Sequence, residues 1–231
     1  MPVGIIISVL AVVLGGWLGS AAGDRLSDRL KQEMTVIFGV CGLAMGITAV
    51  IQMKNMPAVI FAVIAGGLIG NAINVDKHIR KGTAVLLGKM NLGVDMQLMV
   101  TAMVLFCAST TGIYGSLISG MTGDHSILIS KAILDFFTSM IFACQLKKAV
   151  MLIGIPQLII MLALFFSARI ILPLTNETMI ADFKACGGIV LLCTGFTIMK
   201  IREIPVANML PAMVLAIPVS ALWMNVIAPM I

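Results

Sequence analysis

The stretch Ser126-Ile-Leu-Ile-Ser-Lys-Ala-Ile-Leu-Asp-Phe-Phe-Thr-Ser-Met-Ile-Phe-Ala-Cys-Gln145 has the length and apolar character of a membrane-crossing helix, yet it carries Lys131 and Asp135 in its middle. A charged residue at the centre of a spanning helix costs about 2.5–3.5 kcal/mol on insertion scales, so such residues are rare there. Four positions apart, the two lie on one helix face and can reach each other. Asp124, Lys131, Asp135, Thr138 and Ser139 fall along one stripe, while Leu128, Ile129, Ile133, Phe137 and Ile141 occupy other faces. The stripe reads as a polar seam along a pathway, with Asp135 binding a proton or cation and Lys131 as its counter-charge. The competing reading is a buried ion pair that locks helix packing.

The rest of the chain supports the membrane reading. Its 231 residues are 60% hydrophobic and only 11% charged, with a mean hydropathy of +1.12. Soluble domains are about 45–50% apolar and about 25% charged. Eight spans are expected, at 2–22, 34–53, 56–74, 97–119, 126–146, 149–172, 184–200 and 207–228. The fold class is therefore an all-α polytopic membrane protein, a single integral-membrane domain over 1–231. The first apolar run lacks a positive leader and is expected to stay as the first span. In the connection 75–96, Val75, Ile79, Val85, Leu86 and Met90 predict a short amphipathic helix at the interface.

Positive charge sorts by side. Arg25, Arg29 and Lys31, then Lys77, Arg80, Lys81 and Lys89, then Lys147 and Lys148, then Lys200 and Arg202 all follow odd-numbered spans. Lys54, Arg169 and Lys184 lie toward the other side. This bias predicts odd loops in the cytoplasm, both termini outside, and one fixed topology. A net charge of +5 spread over short loops is no nucleic-acid signature.

Gly39-Val-Cys-Gly-Leu-Ala-Met-Gly-Ile-Thr48 can be laid over Gly188-Ile-Val-Leu-Leu-Cys-Thr-Gly-Phe-Thr197. That would pair spans 1–3 with spans 6–8 (units 1–75 and 149–231) as an inverted repeat around a central hairpin at 97–146. The competing reading is that any two glycine-rich apolar helices align this well. Within the hairpin, span four contains Cys107-Ala-Ser-Thr-Thr-Gly-Ile-Tyr-Gly-Ser-Leu-Ile-Ser-Gly120. Its glycines weaken the helix, and Ser109, Thr110, Thr111 and Tyr114 bring hydroxyls. The run can open the backbone toward a solute, or serve close helix packing. Asn208 near the last span and Pro156-Gln157 in span six are weaker candidates for a midplane site. Gly15, Gly16, Gly19 and Gly23, with Gly39, Gly42 and Gly46, are expected to make helix–helix contacts.

Several classes of function find no support. Asp124-His125-Ser126 spells a hydrolase triad, but neighbouring residues cannot aim three side chains into one relay. Cys41, Cys107, Cys144, Cys186 and Cys193 read as small packing residues. His78 and His125 have no partner at metal-ligand spacing, and no nucleotide-binding motif occurs. No enzyme activity, metal or cofactor is expected.

The Gly120–Ala143 stretch, with Gly123-Asp-His-Ser126 running through to Asp135, resembles the family called domain of unknown function 554. Asn208-Met-Leu-Pro-Ala212 and the opening Pro2-Val-Gly-Ile-Ile fit it too. The resemblance runs essentially end to end and implies a bacterial multipass inner-membrane protein without an established substrate. Ser8, Asn71 and Phe136 stand where that family carries Asn, an acidic residue and Gly, which weakens the case for polar roles in spans one and three. The expected function is secondary transport or channelling of an ion or small solute. Asp135 and Lys131 would form the binding pair, with Asp124 at the outer mouth, in a homo-oligomer surrounded by lipid bilayer. The alternative is a non-transporting assembly, sensing or regulatory subunit whose charged pair grips a partner helix.

Overall fold

The computed structural model describes residues 1–22, 27–88, 94–107 and 109–230. Gly23, Arg25, Lys89, Met90 and Ala108 lie outside the described residues, as do the side chains of Lys31, Leu86, Thr110 and Arg169. The described residues form ten α-helices, with short turns, a few 3-10 stretches and a π stretch at Trp223–Ile227 between or after them: α1 (Val3–Ala22), α2 (Asp28–Val50), α3 (Met56–Ile73), α4 (Val75–Gly88), α5 (Met96–Cys107), α6 (Thr110–Thr122), α7 (Ser126–Leu146), α8 (Gly154–Ile171), α9 (Glu177–Ile198) and α10 (Leu210–Leu222).

Among the described residues, seven stretches are long and apolar enough to cross a bilayer. One of them, Ser126–Leu174, has 49 residues. At about 1.5 Å per residue it would extend over twice the ~30 Å hydrocarbon core, so it must cross twice. Its reversal point is Lys147, whose φ of 50° ends α7 before the 3-10 stretch Lys147–Ile153. Dividing that stretch recovers eight crossings. The protein is an all-helical membrane protein, and its surface agrees. Ile6, Leu10, Leu14 and Trp17 of α1, and Ile60, Phe61, Ile64 and Leu68 of α3, are all exposed, as faces that meet hydrocarbon rather than water must be.

The fourth span is described as two helices, α5 ending at Cys107 and α6 starting at Thr110 after the extended Ser109, in line with the reading that its glycine-rich run opens the helix. The seventh begins at Glu177, because Asn176 caps it by accepting from the Met179 amide at 2.9 Å. Asp182 therefore lies inside a helix that had been expected to start at 184.

The chain groups into two compact units. The first comprises Met1–Val36 and Lys77–Arg169. Its spine is the contact of α1 with α7. A methyl group on Gly15 would collide with the Phe136 carbonyl oxygen, and one on Gly19 with that of Met140. Backbones meet there directly, as small residues permit in membrane helices. Beside this seam, Val12, Phe106, Leu146, Val150 and Ile153 form a buried core.

The second unit comprises Ile37–Asp76 and Ile170–Ile231. Its α2 and α9 run antiparallel in contact through glycine. A methyl on Gly46 would stand 2.9 Å from the Gly188 carbonyl oxygen, and one on Gly195 would stand 2.9 Å from that of Gly39. Helices α3 and α10 also pack closely, Gly66 against the Ala212 backbone.

Candidate functional site: a buried ion pair beside an interrupted span

In the first unit, α7 carries Lys131 and Asp135 one turn apart, and the Lys131 Nζ donates to Asp135 Oδ2. The pair is withdrawn from the surface, at 2% and 8% exposure. The same Oδ2 receives Ser8 Oγ from α1 at 3.5 Å and Gln157 Nε2 from α8 at 3.2 Å. Gln157 Nε2 also lies 3.3 Å from Ser8 Oγ. The seam at Gly15 and Gly19 brings α1 close enough for Ser8 to reach across. Every donor converges on one carboxylate oxygen, and Oδ1 takes no hydrogen bond among the described residues. Gln157 Oε1 is fully buried and, among the described residues, equally without a partner. Turning the amide over would not help, because an oxygen would then face the carboxylate. The centre thus holds one engaged oxygen and two underused acceptors.

The interruption of span four lies against this centre. Ser109 is extended (φ −66°, ψ 139°), and its Oγ accepts from the Gly112 amide at 3.2 Å, which starts α6 afresh. A methyl on Gly112 would come within 3.0 Å of Lys131 Cε, so glycine is what lets α6 approach the lysine stem. On the α5 side, the Phe106 ring centroid is 6.0 Å from Lys131 Nζ. One turn beyond Gly112, Ser116 Oγ is buried without a partner among the described residues. The first amides of α6 carry a partial positive charge, and Gly112 in that first turn lies against the lysine stem.

The second unit has its own buried carboxylate. Asp182 is fully buried. Its Oδ1 accepts from the Lys54 and Asn55 amides at 2.9 and 2.8 Å. Its Oδ2 accepts from Asn55 Nδ2 at 2.8 Å and Ser220 Oγ at 2.6 Å. Both oxygens are occupied. The carboxylate ties the turn before α3 to α9 and α10.

The candidates named from the sequence separate accordingly. Lys131 and Asp135 meet, and Ser109 and Gly112 border them. Thr111 and Thr138 are half-buried and Tyr114 is buried. The Thr110 side chain is not described. Ser139 turns its hydroxyl to the Phe136 carbonyl of its own helix at 2.9 Å and presses on Gly15, so this part of the stripe is packing against α1. Asp124 is exposed at the start of α7, where its Oδ1 accepts from the Ser126 amide and hydroxyl at 2.9 and 2.6 Å. Asn208 belongs to the second unit. It accepts from the Asp76 amide at 2.7 Å and donates to Asn71 Oδ1 at 3.0 Å, closing the end of α3. Gln157, a weak candidate, is a member of the centre. Ser8 is the correction: the departure from the family pattern in span one leaves a polar role intact, because its hydroxyl reaches Asp135. Asn71 likewise keeps a polar contact. Asp182 was missed entirely. An Asp amid Met-Ile-Ala and Phe-Lys-Ala residues was the available signal.

The family model described as Protein of unknown function (DUF554) matches residues 3–221. The uncharacterized protein YqgA of Escherichia coli (strain K12) is 46% identical over 230 residues, covering 96% of this chain and 98% of that protein. The uncharacterized membrane protein YdfK of Bacillus subtilis (strain 168) is 23% identical over 216 residues, covering 92% and 93%. No solved structure matches the chain.

Proposed function

We propose, for a chain that belongs to the family described as protein of unknown function (DUF554), a small secondary transporter or channel for an ion or small solute. It would work without a catalytic step or cofactor, as a homo-oligomer in a bacterial inner membrane with both termini outside. The observation that carries the reading is the fresh helix start at the extended Ser109, within span four, set against the Lys131–Asp135 pair. Secondary transporters place discontinuous helices at the midplane so that half-helix ends meet the solute or coupling ion. Intramembrane ionisable groups mark such pathways.

The pair is occluded by Ser8 of α1 and Gln157 of α8, so access requires those helices to shift. The chemistry offers a trigger. A proton or cation arriving at the open Oδ1 of Asp135 cancels the attraction that holds Lys131. The lysine is then released toward the Phe106 face and the start of α6. Two arrangements of one ion pair are the kind of bistable element that gating needs. The occlusion argues against the rival reading in which the pair grips a partner's helix, since this chain's own Ser8 and Gln157 already engage it.

The glycine contacts of α2 and α9 support an inverted repeat. Laying Gly39 on Gly188 and Gly46 on Gly195 turns the Gly39–Gly195 contact into the Gly188–Gly46 contact. A pseudo-two-fold axis between the helices would produce that reciprocity, as any antiparallel pairing at this register also does.

Purified protein in liposomes, screened across ion and solute gradients, tests the function. Asp135→Asn should lower flux at least about tenfold, the equivalent of about 1.4 kcal/mol. If wild type and variant move every solute alike, the coupling role fails.

A further inference from the structure

A cavity of about 610 Å³ opens in the first unit, between α4, α5 and the stretch Leu152–Ile160 that includes the first turns of α8. Its size is that of a ligand pocket, commonly about 300–1,000 Å³. Its lining is apolar apart from His78 and Thr83 of α4 and Cys107. A polar solute would lose its hydration there with nothing in exchange.

The shape follows the helices. On α5 the lining runs from Met99 to Cys107, nine residues and about 12 Å along the axis. On the opposite wall it runs over a similar length, from Leu152 to Ile160. One leaflet of hydrocarbon is about 15 Å deep. The cavity is thus a trench nearly one leaflet long, walled in part by two methionines whose flexible thioethers adapt to irregular occupants.

A third wall is α4. Ile79, Gly82 and Thr83 face the trench. Lys77, Arg80 and Lys81 are exposed and, at about 100° per residue, point from the other side of the helix. An amphipathic helix with a basic outer face lies at the membrane surface and attracts anionic lipid at about 1 kcal/mol per Lys or Arg.

We infer that this trench holds one acyl chain of an anionic phospholipid, with α4 positioning the headgroup through Lys77, Arg80 and Lys81. The chain end reaches Cys107, the last residue of α5 before the interruption. The inference does not depend on transport.

The test uses the full-length protein in liposomes of equimolar phosphatidylethanolamine and phosphatidylglycerol, the latter carrying a photoreactive diazirine in one acyl chain. Illumination should attach the probe to residues between Met99 and Cys107 and between Leu152 and Ile160. Labels spread evenly over every outward helix face would overturn the proposal. Native mass spectrometry supplies the second arm. Wild type should retain a phosphatidylglycerol through purification, in preference to phosphatidylethanolamine. Gly82→Leu, whose new side chain enters open space, should cut retention about tenfold. The triple change Lys77→Gln, Arg80→Gln and Lys81→Gln should leave the two lipids retained equally. Retention that neither variant alters, or that never favoured the anionic lipid, refutes the site.

Discussion

Asp135 and Asp182 are both carboxylates withdrawn into apolar helices, one in each unit, and their surroundings differ in kind. Asp182 has both oxygens occupied, two of its four donors being backbone amides of a turn. Among the described residues, Asp135 has one oxygen engaged by three side chains and one left open, beside an amide oxygen with no partner. A backbone donor cannot rotate away, so Asp182 has a single stable arrangement. Side-chain donors can regroup, so the Asp135 centre can adopt more than one. A fully satisfied buried charge therefore reads as a fastening, and a partly satisfied one as a moving part.

Mutation should separate the two. Asp182→Leu strands the Lys54 and Asn55 amides and the Ser220 hydroxyl, and each orphaned buried donor costs about 1–3 kcal/mol. The expected loss is about 3–5 kcal/mol, seen as a large drop in the thermal unfolding midpoint in detergent, and no second substitution of a side chain should restore it. Asp135→Leu alone leaves the Lys131 charge buried and should cost about 3 kcal/mol. Here a partner change does rescue: adding Lys131→Met replaces the pair with apolar groups and should return stability to within about 1 kcal/mol of wild type. The same double variant should transport nothing. Failure of that rescue would place Asp135 in the same class as Asp182.

Gln157→Leu removes both the contact to Asp135 and the orphaned acceptor. These effects oppose each other, so stability should change by less than about 1 kcal/mol while flux through the centre changes measurably. Ser8→Ala gives up only a long hydrogen bond and should be the mildest, about 0.5 kcal/mol. A larger effect from Ser8→Ala than from Gln157→Leu would mean that α1, not α8, holds the carboxylate in place.

Much of the fold was legible. Helix α7 spans the residues expected of it because Gly-Asp-His on one side and Lys147-Lys148 on the other end the apolar run sharply. The amphipathic α4 followed from its period. Gly15, Gly19, Gly39 and Gly46 are contact points, as expected of small residues in membrane helices. The site was legible only where charge broke an apolar run, which marked Lys131 and Asp135. Ser8, Gln157 and Ser220 are ordinary uncharged residues whose roles come from what faces them. Asp182 escaped because it lies near a helix start, where acidic residues normally face water.

Composition and hydropathy by themselves determined that this chain is a bundle of membrane-crossing helices, because removing a backbone from water leaves an apolar segment little choice but helix. They also determined that one crossing carries opposite charges a turn apart, since that depends only on local spacing. Tertiary structure alone decided which carboxylate is saturated and which is not. It also decided that the break in span four lies beside the lysine. Both depend on contacts between helices far apart in sequence, where a glycine seam sets whether a hydroxyl 127 residues away can reach its partner.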